Sequence, residues 1–66
     1  MTEWIIWAVD PDDFESGRGK VATVHGTRGE GLARGCEAIL DGWADVTVEG
    51  PFGRFYDLID PAAVAR

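Results

Sequence analysis

The chain has 66 residues (7.2 kDa), room for one small domain, and at 45% hydrophobic and 11% aromatic residues it has the composition of a folded protein. Twelve acidic residues against six Lys and Arg leave a formal net charge of -6, which argues against a phosphate-backbone binder, so no direct nucleic-acid binding is expected. The single cysteine, Cys36, excludes an intramolecular disulfide and a zinc site built from several thiolates. No apolar run of about 18 residues and no basic segment leading into an apolar core is present, so a cytoplasmic protein with no membrane association is expected.

Thr2 to Val9 is rich in β-branched and aromatic residues and predicts a strand. Its two faces, Trp4, Ile6, Ala8 and Ile5, Trp7, Val9, are both apolar, which places it in the middle of a sheet or sets one face against a partner. Asp10 to Gly19 is a polar loop, with Phe14 expected to tuck it against the core. Asp10, Asp12, Asp13 and Glu15 cluster there, but Phe14 and Glu15 fall where a calcium loop needs a ligand and a glycine, so no metal is expected. Lys20 to His25 predicts a second strand.

A helix follows Gly26. Thr27 and Glu30 have the spacing of a capping box, and Gly42 stands where a left-handed C-terminal residue belongs. Leu32, Cys36, Ile39 and Leu40 are spaced i, i+4, i+7 and i+8 and predict the buried stripe. Gly29, Gly31 and Gly35 each cost about 1 kcal/mol of helix propensity relative to Ala, so the helix must depend on tertiary packing. Trp43 to Glu49 alternates Ala44, Val46, Val48 against Asp45, Thr47, Glu49 and predicts a strand whose second face is wet. Gly50 to Gly53 reads as a hairpin turn, Arg54 to Ile59 as its return strand, and Asp60-Pro61 as the opening of a last helical turn through Val64. The expected fold is α+β: a small, mainly antiparallel sheet in β-β-α-β-β order, one amphipathic helix on one face, and a short C-terminal helical turn.

Catalytic chemistry has little to stand on. A Cys36–His25 pair would put its thiol on the helix's apolar stripe, and Ser16, the one serine, lies in an acidic loop; no catalytic residue and no cofactor is expected. The glycine-rich helix entry offers an alternative, a small anionic, nucleotide-like ligand held by Thr27, Arg28, Gly29 and Gly31. Its spacing matches neither phosphate-binding fingerprint, and Glu30 would repel the anion. The aromatic residues point elsewhere. Trp4, Trp7, Phe52, Phe55 and Tyr56 present more apolar surface than one helix should cover. Trp4, Trp7, Phe52, Arg54 and Tyr56 are therefore the expected partner-binding residues, with a homodimer formed through the first and last strands. The expected function is that of a small acidic interaction protein that binds and occludes another macromolecule, an accessory or inhibitor of the kind phages and mobile elements carry. In this reading the acidic surface selects a protein partner with basic groups; plain solubility is the favoured explanation of the charge itself.

Overall fold

The computed structural model describes residues 2–58. Along the chain run β1 (Thr2–Val9), a 3-10 turn (Phe14–Ser16), β2 (Arg18–Gly26), α1 (Arg28–Leu40), β3 (Ala44–Glu49), a second 3-10 turn (Pro51–Gly53) and β4 (Phe55–Asp57). The two 3-10 turns are additions to the expected order, and the helical turn expected at Asp60 to Val64 lies outside the described residues.

The four strands form one sheet in the order β2-β1-β3-β4, each neighbouring pair antiparallel. Since β2 and β3 both run against β1, they are parallel to each other, and α1 is the crossover between them with β1 in the gap. The doubly apolar β1 is thus central, as its two hydrophobic faces require.

Register sets the faces. Trp4 pairs with Val24, Ile6 with Ala22 and Val48, and Val48 with Tyr56, so these side chains share the face beneath α1. The buried core there is Trp4, Ile6, Ala8, Ala38, Val46 and Val48. The helix begins with the capping box: Thr27 Oγ1 accepts from Glu30 N, and Glu30 Oε1 accepts from Thr27 N, both at 3.2 Å. It ends in a Schellman motif, with Trp43 N donating to Ala38 O and Gly42 N to Ile39 O, each at 3.0 Å, while Gly42 takes φ 103°.

The helix face differs from the expected one. Gly31, Gly35 and Ala38 are the buried positions; Leu32, Cys36 and Ile39 are half-buried, and Leu40 is 78% exposed. The buried line is the expected line moved back one residue, a rotation of about 100°. The cause is close approach. A Cβ on Gly31 would sit 2.7 Å from Trp4 Cγ, and one on Gly35 would meet Val48 Cγ2 at 2.8 Å and run into Leu58 Cδ1. The helix backbone itself lies on the sheet, and a leucine stripe would hold it off.

Two further expectations are corrected. Phe14 is exposed; the loop is held by its own polar groups, Asp12 N donating to Asp10 Oδ1 at 2.9 Å and Ser16 Oγ to Asp13 Oδ2 at 2.6 Å. Thr47, assigned to a wet face, is only 2% exposed.

Candidate interaction surface

The sheet face turned away from α1 is assembled by the same register. β1 contributes Glu3, Ile5 and Trp7; opposite them β2 places His25, Thr23 and Lys20. On the other side β3 sets Glu49 beside Ile5 and Thr47 beside Trp7, and β4 adds Phe55 next to Glu49 and Asp57 next to Thr47. Ile5, Trp7 and Phe55 are the large apolar side chains of this face, with Glu49 between Ile5 and Phe55, and Glu3, Asp57, Lys20 and His25 share it. No element among the described residues packs over this face.

Its side chains are held in place. Trp7 Nε1 donates to Glu49 Oε1 at 2.9 Å, which fixes the indole while its ring stays half-exposed. Thr47 Oγ1 donates to Asp57 Oδ1 at 3.1 Å, so the buried hydroxyl is satisfied from the edge strand. His25 Nε2 lies 3.4 Å from Glu3 Oε2. A tryptophan already restrained in the free protein loses little conformational freedom on binding, and Trp is among the residues that anchor interfaces.

The five residues expected to bind a partner do not form one patch. Trp4 is 5% exposed and belongs to the core, its Nε1 donating to Gly26 O at 3.0 Å and its ring tilted against Tyr56 at a centroid distance of 6.1 Å. Tyr56 is half-buried on the same covered face, so Trp4 and Tyr56 stand on the side of the sheet opposite Trp7. Trp7 stands on the open face, whereas Phe52 and Arg54 are exposed in the β3–β4 hairpin. On the open face it is Phe55 and Ile5, not Tyr56 and Trp4, that accompany Trp7. The alternation along Arg54 to Leu58 carried that signal, but only the pairing of β4 with β3 decides which half of it faces outward.

At the helix entry, Thr27 Oγ1 and N both face Glu30 Oε1, at 3.2 Å each, so a carboxylate of the chain itself sits where an anion would bind. Gly31 is buried under Trp4 and out of a ligand's reach, while Arg28 and Gly29 are exposed. His25 is on the open face and Cys36 on the helix covering the other, so the two are not brought together. Among the described residues no group of three or more His, Cys, Asp or Glu is placed to hold a metal ion, and no helix is long and apolar enough to cross a membrane. No family model, no curated protein and no solved structure matches the chain.

Proposed function

We propose that the protein is a binding module that docks its open sheet face on a protein partner with basic groups around an apolar site, and acts by occluding that site. The observation that carries the reading is Trp7, an aromatic anchor held by Glu49 on a face that nothing among the described residues covers. Glu3, Glu49 and Asp57 supply the charge that selects the partner and speeds encounter. The chemistry asked of the chain is recognition, an accessory or inhibitory role, with no catalytic part for His25 or Cys36.

The test starts from the immobilised protein, the partner it retains from a lysate of its own cells, and identification of that partner by mass spectrometry. Affinity is then measured with the purified partner for the wild type and for Ile5→Thr/Phe55→Thr, which keeps strand propensity and removes the apolar side chains beside Trp7. A loss of about 10-fold or more, with affinity that falls as salt rises, is expected. Equal affinity of the two proteins, or a gain in melting temperature with nucleotides in place of a protein partner, would refute the reading.

A further inference from the structure

β3 connects two ends of the molecule that differ in charge and shape. At its start, Trp43 lines an open cleft of about 250 Å³ with Asp41 and Gly42 from the end of α1 and Asp10, Pro11 and Asp12 from the end of β1. The two segments meet because Val9 pairs with Ala44. The negative pole of α1 points to this end, its last turn holds no Lys or Arg, and Asp41 is its C-cap. Carboxylates there work against the helix dipole, so helix stability does not explain them.

At the other end of β3 the hairpin tip has the opposite character. Phe52 has φ 62° and Gly53 φ 69°, with Arg54 N donating to Pro51 O at 3.3 Å, a two-residue turn with both central residues left-handed. Such turns favour Asn, Asp or Gly at the first central position. Here that position holds a phenylalanine that is 98% exposed. Neither the strained backbone nor the bare ring stabilises the monomer, and backbone outliers of this kind mark functional positions. The tip is firmly seated, because a Cβ on Gly50 would run into the Trp4 ring and Gly50 N donates to Arg54 O at 2.8 Å. Arg54 is exposed and makes no ion pair among the described residues.

We infer that the hairpin tip of one copy docks into the Trp43 cleft of a second copy, with Phe52 against the indole and Arg54 among Asp10, Asp12 and Asp41. The indole of Trp43 gives the ring an apolar surface to cover, and the guanidinium supplies the charge that the cleft's carboxylates lack. Head-to-tail contact also sets the positive pole of one α1 toward the negative end of the next. Because tip and cleft are different surfaces at opposite ends of the molecule, the contact is heterologous: each copy offers a further tip and cleft, so copies add beyond two, in an open row or a ring. The open sheet face takes no part in it, so this association stands or falls separately from partner binding.

Sedimentation velocity of the purified protein tests the inference. From about 10 μM to about 1 mM the mean mass should rise steadily above 7.2 kDa without levelling at two copies, and the rise should shrink several-fold between about 0.05 and about 0.5 M salt. Two variants, checked for native near-ultraviolet dichroism, complete the test: Phe52→Asn/Arg54→Ser, which suits the turn and blunts the tip, and Asp12→Lys/Asp41→Lys, which reverses the cleft's charge. Each alone should remain a monomer, whereas their equimolar mixture should form a species of two copies that grows no further. A wild type that stays at 7.2 kDa throughout, a closed dimer that survives both sets of changes, or a mixture that associates no better than its components would overturn it.

Discussion

The two faces of the sheet are built by opposite means. On the covered face, packing comes from missing side chains: Gly31 and Gly35 let the helix backbone rest on Trp4 and Val48, and Gly50 lets the hairpin pass the edge of the same indole. On the open face the large side chains remain and are restrained by polar partners, Trp7 by Glu49 and Thr47 by Asp57. The first face holds the fold together. The second leaves Ile5 and Trp7 half-buried and Phe55 exposed, apolar surface that the proposed partner would cover. Trp4 and Trp7, three residues apart on one strand, therefore stand in opposite surroundings, although composition alone treats them alike.

The largest expected effect separates the faces at once. Trp4→Ala empties the space between Gly31, Gly50 and Tyr56 and should cost about 3–5 kcal/mol, most of the stability of a domain this small. Chemical denaturation should find it largely unfolded at room temperature. A melting curve close to wild type would mean that the covered face does not depend on the indole.

Next in size is a contrast between two helix glycines. Alanine gains up to about 1 kcal/mol of helix propensity at either position. At Gly31 the new methyl would meet Trp4 at 2.7 Å, so Gly31→Ala should be destabilising by about 1–3 kcal/mol in spite of that gain. At Gly29 its nearest neighbour is Thr27 Oγ1 at 3.8 Å, so Gly29→Ala should stabilise by roughly 0.5–1 kcal/mol. Opposite signs in a denaturant series confirm close approach; the same sign for both would contradict it.

The smallest effect is at Leu40. Leu40→Ala at an exposed position should change stability by less than about 0.5 kcal/mol. A loss of 2 kcal/mol or more, about what a buried leucine costs, would return α1 to the rotation that its apolar periodicity suggests.

That rotation marks where the sequence stops being legible. The local signals were sound: β1 is a strand from Thr2 to Val9, and Thr27 with Glu30 and Gly42 bound the helix. Periodicity then failed because it weighs apolar side chains, and the closest packing of α1 is made by glycines, which carry no such weight. The open face failed differently. Each strand displays its alternation, but the pairing of Trp7 with Glu49's strand spans 42 residues, a distance that no local pattern encodes, and the hairpin register that sets Phe55 beside Glu49 depends on the turn's geometry. The alternation alone does not separate Tyr56 from Phe55, which faces outward, and it assigns Thr47 to a wet face although Trp7 and Asp57 flank it.

The most direct measurement of the central claim is a hydroxyl-radical footprint of the protein, free and bound to its identified partner. Trp7 and Phe55 should be modified in the free protein and protected in the complex, while Trp4, buried beneath α1, should stay unreactive in both. Trp7 and Phe55 that react equally in the free and bound protein would show that the partner binds elsewhere and that the open sheet face is not the interaction surface.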